Sequence, residues 1–590
     1  MNVVLEGKRV ALDESMLLGE GGEARVYRLG ARALKVFHAP CADKARKLAA
    51  FPRGLPRHVL VPEALLHDAR GRVVGYAMPA LDGGTDAIRL SQRRFREGIV
   101  PNQDVTAIFR HAWLTLVALH NAGVVVGDLN DGNVLWRNQE AFFIDADSMQ
   151  FGGFPCTVAH ARFLDPRLYG VDLARAAALG KDSDWFAFSV LLFQSLLYVH
   201  PYGGVHPAHP TPLRRAEARV SLLSEGVTLP KAAVSPRVLP DGLCHWFSRV
   251  FDRDERGPMP AELLETLRWH RCACGLEHAR PACPDCASTR GVVVEVVRHH
   301  GRCRARRIFH TRGRLLAARV QGGLRYAYED GGVVRREDGS LVFSGALTPE
   351  LHLALAGDST WLGLGAGLVR IERGQPVERA ETVPAPGGPA FAAAQHELYR
   401  IEADWLIAHP SGARIGRVAG GRTVVACGSA LGLCLLRAGQ ATFASLFVPG
   451  RAGLREVRLP IAGRIVDLDV VFDERHALLS VHLEHAGART AAVFLLDAAG
   501  RILGRRTGSP DESPILAACA GKALSGGRAL LATDEGLLGL QVDAPTGTLV
   551  EGTLYADTRP FLAAGADLLP GPSGSVYVVT TRDITQLELG

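Results

Sequence analysis

The sequence predicts a multidomain α+β chain that ends in an extended all-β part, and three observations carry that reading. Residues 1 to about 268 mix strand-like and helix-like apolar periods. A short stretch, 269–290, then concentrates four of the chain's 11 cysteines. From 291 to 590 the pattern becomes almost purely β, with short apolar runs, Gly-rich turns and few helical windows. With 590 residues the chain is too long for one core, and three or four domains is the prior.

The N-terminal region opens with short alternating strands, "ARVYRLG", "RALKVFH" and "VVGYAMPAL". Helical patterns follow, as in "DVTAIFRHAWLTLVALHNAG", where apolar residues recur at three and four and a Gly ends the run. The most apolar window, "WFAFSVLLFQSLLYV", is shorter than the roughly 20 residues a bilayer requires, so it reads as a core helix. The first residues, "MNVVLEGKRVALDES", lack the basic segment and apolar run of a signal peptide. An odd cysteine count with one cluster suits a reducing compartment, so the expectation is a cytoplasmic protein without membrane contact. A net charge of +6 is small for this length and does not by itself imply nucleic acid.

Three stretches of the first region carry chemistry. "VVVGDLNDGNVLW" sets Asp128, Asn130, Asp131 and Asn133 between apolar runs, although Asp, Asn and Gly weaken strands. A tight turn or an Asx-rich loop would explain that segment alone. Upstream, "LLGEGGEARVYRLGARALKVF" supplies Gly19, Gly21 and Gly22, then Val26, then Lys35 on the next strand. Glycines there let backbone N–H groups approach phosphate oxygens, and a neighbouring Lys neutralises them. The absence of G-K-[ST] excludes a Walker-type loop. Downstream, "AFFIDADSMQF" ends a strand on Asp145.

Taken in order, these are the parts that phosphoryl transfer from Mg-ATP needs. Asp128 would accept the hydroxyl proton and orient the nucleophile. Asn133 and Asp145 would hold magnesium against the phosphates, with Lys35 beside them. Met78-Pro79-Ala80-Leu81 is the candidate hinge for an adenine edge, with Met78 and Leu81 lining it; an ordinary β-turn is the other reading. Pro79 has no N–H to give, so the contacts must come from its neighbours.

At these residues the chain resembles the protein-kinase fold, over roughly 15 to 268, which implies a bilobal domain. "HNAGVVVGDLNDGNVLW" is similar to the catalytic loop, and "FLDPRLYG" stands where the Ala-Pro-Glu segment would, with Asp165-Pro166. "KDSDWFAFSVLLFQSLLYVHPYGG" resembles the buried helix whose Asp, here Asp184, braces the catalytic-loop backbone, followed by the His-Pro-Tyr turn. "FDRDERGPMPAELLETL" resembles the closing helices, with Arg256 as the structural Arg. More narrowly, "GYAMPALDG", "VVGDLNDGNVL", "FIDADSMQ" and "FPCTV" are similar to a bacterial family of kinase-like proteins. Its members often carry zinc ribbons, helix-hairpin-helix or repeat domains. That resemblance implies stress systems of the tellurium-resistance type, with von Willebrand A proteins and PP2C-like phosphatases as partners.

The chain departs from the pattern in places. Val126-Gly127-Asp128 replaces His-Arg-Asp, which removes the Arg that would meet an activation-loop phosphate. Asn130 stands where protein-serine kinases place a Lys that steadies the γ-phosphate. Asp145-Ala146-Asp147 replaces Asp-Phe-Gly, leaving Asp147 as a second possible metal ligand. Ala24 takes the place of the third loop glycine. The helix after Lys35, "CADKARKLAAF", has no Glu to pair with that Lys, and Asp43 is its nearest acid.

"CACGLEHARPACPDC" places Cys272, Cys274, Cys283 and Cys286 as C-x-C and C-x-x-C, two knuckles able to surround a tetrahedral Zn2+. The expectation is a structural zinc ribbon that also serves as a connector, with His278 turned to solvent. Next, "RHHGRCRARRIFHTRGR" reads as a charged edge strand or as a docking surface for an acidic partner. Without interleaved aromatics, single-stranded nucleic acid is not predicted.

A loose strand-then-turn unit recurs in the last region: "GLVRIERGQ", "ELYRIEADW", "GLCLLRAGQ", "AVFLLDAAG" and "LLGLQVDAPTG". The last interval, about 45 residues, suits a four-stranded blade. The region therefore reads as a β-propeller of six or seven blades, with a pair of β-sandwiches as the competing reading. The final "SGSVYVVTTRDITQLEL" would pair with the first strand, "GVVVEVVRH". Pairs such as Asp473–His476 and His482–His485 read as turn and surface residues.

The domains expected are thus 1–268 kinase-like, 269–290 zinc ribbon and 291–590 propeller. The functional expectation is a Ser/Thr protein kinase using ATP and Mg2+ on a protein substrate, with the propeller docking the partner. The alternatives are an ATP-binding pseudokinase scaffold and a small-molecule kinase.

Overall fold

The computed structural model describes every residue except 21–22, 40–41, 177, 289–296, 386–387, 396, 439–440, 486–487 and 590. The described chain is mostly β with few helices, and it divides into two compact units, built almost entirely from 1–290 and 291–590. No helix among the described residues is long and apolar enough to cross a membrane.

The N-terminal unit begins with strands β1 (Asn2–Leu5), β2 (Lys8–Ala11), β3 (Leu17–Glu20), β4 (Ala24–Leu29) and β5 (Arg32–Phe37). Helix α1 (Ala42–Ala49) follows, then β6 (Ala64–His67) and β7 (Val73–Pro79). The strands form one antiparallel sheet in the order β2-β1-β6-β7-β5-β4-β3. Period-two alternation drives it, since successive side chains point to opposite faces: Tyr27, Leu34, Leu66 and Ala77 close one apolar cluster, and Ala33, Tyr76 and Met78 belong to another. Gly75 is forced by proximity, because a Cβ there would lie 2.0 Å from the Lys35 carbonyl oxygen.

The rest of this unit is mainly helical, around the helices Asn102–Asn121, Lys181–Leu197 and Asp241–Phe251. The window taken as a core helix is one: every residue of Lys181–Leu197 from Ser183 on is buried. Phe193, Phe247 and Phe251 pack edge-on and stacked within this core, which gains from ring geometry beyond burial alone. A hairpin, Val134–Arg137 with Glu140–Phe143, rests on the same core through Val134, Trp136, Ala141 and Phe143.

The Cys-rich segment packs on the N-terminal unit. Its hairpin, His270–Arg271 with Glu277–His278, is counted almost wholly with the N-terminal unit. Glu277 accepts from the Asn102 amide at 3.1 Å, Ala279 N–H donates to the Val238 carbonyl at 2.8 Å, and Arg280 pairs with Asp241 at 2.7 Å. A segment too short for its own core borrows one. His278 is buried rather than solvent-facing, and its Nδ1 accepts from the Arg280 amide.

The C-terminal unit is a succession of antiparallel four-stranded meanders at 314–344, 352–381, 391–417 and 423–462. Two more, 464–508 and 522–555, share an eight-stranded sheet through one parallel bridge, Arg505↔Thr548. The remaining sheet combines both ends of the region: Val297–His300 and Cys303–His310 join Asp583–Glu588, Val576–Val579 and Asp567–Pro570. The chain end thus returns to the region's start, but it pairs with Cys303–His310 instead of "GVVVEVVRH". Most of the latter lies outside the described residues, and its last strand flanks Cys303–His310 on the other side.

Two expectations about this region change. The arginine-rich stretch is only in part a sheet edge: Val297–His300 is the outer strand of its sheet, whereas 304–306 is paired on both sides, and Arg304 and Arg307 meet Glu588 and Asp583 of the closing strand. The acids that offset its charge lie far along the chain, where a local reading does not look. Asp473 is a turn residue, as expected, accepting from the Arg475 and His476 amides. His482 is instead a half-buried strand residue whose Nε2 donates to the Leu516 carbonyl at 2.8 Å.

Candidate functional site

The segment 124–133 holds its polar residues because each one has a partner. Gly127 adopts φ +75°, and a Cβ there would lie 2.7 Å from the Cys156 Cβ and Sγ, so no side chain fits. This accounts for the missing Arg. Asp184, fully buried, accepts from the Val126 and Gly127 amides at 2.8 Å each and from His120 Nε2 at 2.8 Å. A buried carboxylate with three donors is satisfied, and it fixes the loop to the core helix.

That brace presents Asp128. Its Oδ1 accepts from Asn130 Nδ2 at 2.9 Å and from the His160 amide at 2.8 Å, and its Oδ2 accepts from Asn133 Nδ2 at 3.2 Å. Burial is the largest influence on this carboxyl and pushes its pKa up to about 6, with the negative charge of Asp145 adding to it against the Asn130 and His160 hydrogen bonds. Asn130 Oδ1 in turn caps the loop by accepting from the Gly132 and Asn133 amides. Asn130 is therefore built into the loop's own turn.

Lys35 reaches across to the strand end. Its Nζ bonds the Asp145 carboxylate, 110 positions away, and the Asp147 carboxylate at 2.5 Å. Asp145 has φ +64°, a left-handed conformation uncommon for a residue with a side chain and concentrated at functional sites. Asp147 is buried and takes two further donors, Tyr76 Oη at 2.8 Å and Lys44 Nζ at 3.5 Å. Burial would raise the Asp147 pKa, but Lys35 and Lys44 outweigh it and bring it down to about 2. Burial likewise disfavours the Lys35 ammonium, yet Asp145 and Asp147 hold its pKa above the usual value.

The acid missing from α1 is thus supplied by Asp147. Helix α1 contributes cations instead: Lys44 pairs with Asp147 and Glu23, and Lys47 donates to the Ser148 carbonyl at 3.1 Å. Asp43 pairs with Arg46 on its own helix and takes no part. The sequence reading missed Lys44, Lys47 and Tyr76, and it cast Asp147 only as a metal ligand. A signal was present, since "ADKARKLA" swaps the sign of the expected helix charge while "DAD" adds an acid.

An apolar group lies in the same part of the unit. Val26, Ala33, Met78, Leu81, Leu135 and Ile144 belong to one cluster, of which Val26, Met78 and Leu81 were expected and the rest were not. Gly19 pairs with Val26 across the β3–β4 hairpin and has open space where a Cβ would be. Gly21 and Gly22 lie outside the described residues. At the candidate hinge the Ala80 amide is given to the Ala31 carbonyl at 2.9 Å, so Pro79 and Ala80 both lack a donor for a ligand.

The surrounding framework joins distant segments. Asp165 and Arg256, both buried, meet through two hydrogen bonds, the Nη2 contact being 2.7 Å. In the turn after the core helix, His200 Nε2 donates to the Arg162 carbonyl and Tyr202 Oη to the Phe251 carbonyl.

Asp145 and Asn133 offer the hard oxygen donors that Mg2+ takes. Their segments are adjacent, with the Ile144 amide donating to the Asn133 carbonyl at 3.0 Å, and the charge of Asp145 is felt at Asp128. Separately, one sulfur each from Cys272, Cys274, Cys283 and Cys286 lies within 4.8 Å of the others. The Cys272–Cys286 separation is 3.6 Å, close to the roughly 3.8 Å edge of a tetrahedron with Zn–S bonds of about 2.3 Å. The four cysteines form a group that can bind zinc.

No family model matches the chain, and no curated protein matches it.

Proposed function

We propose that the N-terminal unit is a protein kinase-like phosphotransferase that moves the γ-phosphate of Mg-ATP to a Ser or Thr hydroxyl of a protein. One observation carries the reading: Lys35, Asp145 and Asp128, far apart in sequence, converge with Asn133 around one set of carboxylates. In this reading the seven-stranded sheet and the helical part are the two lobes. The cluster around Val26, Ala33, Met78 and Leu135 receives the adenine. Lys35 holds the phosphates, Asp145 and Asn133 hold magnesium, and Asp128 takes the proton of the attacking hydroxyl. A carboxyl titrating at about 6 is suited to that work, since an effective base lies near operating pH. The Asp184 brace and the Asp165–Arg256 pair support a full protein-binding helical lobe.

We read the C-terminal unit as a seven-bladed propeller. Meanders of four strands, most of whose first strands neighbour that of the next, and a sheet built from both ends of the region support it. Its part would be to recognise the protein substrate. By resemblance, von Willebrand A-type or phosphatase proteins are candidate partners.

A scaffold reading rests on a different observation, that Lys35 is engaged by two acids and Asp128 by three donors. Transfer of labelled γ-phosphate by the full-length protein separates the two. A general base contributes about 10²–10⁴ in rate, so Asp128→Asn should remove nearly all labelling. A wild type that binds ATP, yet labels no protein in the presence of its partner, selects the scaffold.

A further inference from the structure

A second group of metal-ligating side chains lies in the C-terminal unit, in a region given no chemical task so far. Asp467 and His482 face each other across neighbouring strands, Arg464–Phe472 and His476–His485. Cys519 comes from the segment between the short helix Pro514–Ala517 and the strand Lys522–Ser525. One ligand atom from each of the three lies within 4.8 Å of the others.

We propose that Asp467, His482 and Cys519 bind a divalent transition-metal ion, zinc foremost, separate from the four-cysteine group. The donor set is one thiolate, one imidazole and one carboxylate, each a common zinc ligand. Three protein ligands leave a fourth position for water or a small ligand.

The surroundings support an ion. His482 Nε2 donates to the Leu516 carbonyl at 2.8 Å, which places the proton on Nε2 and the ring's lone pair on Nδ1. Holding a ligating imidazole through its other nitrogen is the usual way a protein orients it. Lys522 Nζ is directed to backbone, donating to the Ala518 and Cys519 carbonyls.

Accessibility separates this from a catalytic cysteine. Cys519 is 2% exposed, so a protein or bulky metabolite does not reach its sulfur, whereas an ion does. Two of the ligands come from the 464–508 meander and the third from the segment leading into the next, so the ion would tie that segment down.

Metal content of the full-length chain, saturated with Zn2+ and freed of excess, tests this directly. Each of Cys519→Ser, Asp467→Asn and Cys283→Ser should hold one equivalent fewer than wild type, which should hold at least two. With Co2+ in place of zinc, Cys519→Ser should lose one of five thiolate contributions to the near-ultraviolet charge-transfer band. Asp467 is half-buried, so Asp467→Asn serves if Cys519→Ser does not fold. One equivalent in wild type, or a wild-type content that survives both Cys519→Ser and Asp467→Asn, overturns the proposal.

Discussion

Replacing Asp147 by Asn isolates the role assigned to it, because the substitution keeps shape and removes charge. Asp147 accepts from Lys35 at 2.5 Å, Tyr76 at 2.8 Å and Lys44 at 3.5 Å. An amide keeps one acceptor and turns an N–H₂ toward cations. Breaking a buried ion pair costs about 3–5 kcal/mol, but Asp145 still partners Lys35, which puts the loss at about 2–3 kcal/mol. Lys35 and Lys44 also bring the Asp147 pKa down to about 2, so its ionised form stabilises the fold. Because the folded pKa is the lower one, that contribution is complete above pH 4 and disappears as the pH falls toward 2. Five of the seven tryptophans, Trp113, Trp136, Trp185, Trp246 and Trp269, lie within 1–290, so fluorescence reports mainly on this unit. Urea unfolding at pH 7 should show a midpoint lowered by about 1 M for Asp147→Asn. The difference from wild type should shrink between pH 4 and pH 2. Loss of the Lys35 clamp should also raise the KM for ATP by about tenfold or more, the scale of one charge-assisted hydrogen bond. An unchanged midpoint with an unchanged KM would refute the assignment of Asp147 as the anchor of Lys35.

Four further outcomes follow from the same geometry. Since Asp128 must be ionised to accept a proton and titrates at about 6, kcat/KM for labelling should rise through about pH 6; Asp145→Asn, which removes a charge that raises that pKa, should move residual activity's acid limb lower. Gly127→Ala should destabilise the unit by about 2–4 kcal/mol in the same urea assay, from left-handed backbone strain and overpacking against Cys156. Arg256→Ala should cost about 3–5 kcal/mol by leaving Asp165 buried and unpaired, more than Arg256→Ala in an Asp165→Ala background, which a double-mutant cycle measures. Cys283→Ser should remove one zinc equivalent and speed amide exchange across 270–288, whereas an unchanged exchange pattern would make the cysteine group structurally idle.

The parts legible in the sequence are those whose information is local. Alternation in "RALKVF" and the unbroken apolar run after Asp184 fixed a strand and a core helix, and spacing alone grouped the four cysteines. That Asp184 braces the loop backbone came from resemblance, and the contacts to Val126 and Gly127 are there; the pairing of Arg256 with Asp165 was not foreseen. What escaped was information divided between distant segments. No window around residue 35 reveals that its partner acid is Asp147, because the pairing depends on how β5 and the end of the Glu140–Phe143 strand are brought together. For the same reason all of the arginine-rich stretch read as an edge: the neighbour and counter-charges of its second strand, Asp583 and Glu588, lie about 280 residues on. The two cases share a rule. A charge that looks unpaired in sequence marks a place where the fold must deliver a partner, and the missing α1 Glu beside an additional Asp in "DAD" was such a mark. The Lys44–Asp147–Lys35 chain links α1 to Lys35 by attraction through a shared carboxylate. On the role proposed for Lys35, Lys44→Met should weaken ATP binding less than Asp147→Asn and have little further effect when combined with it.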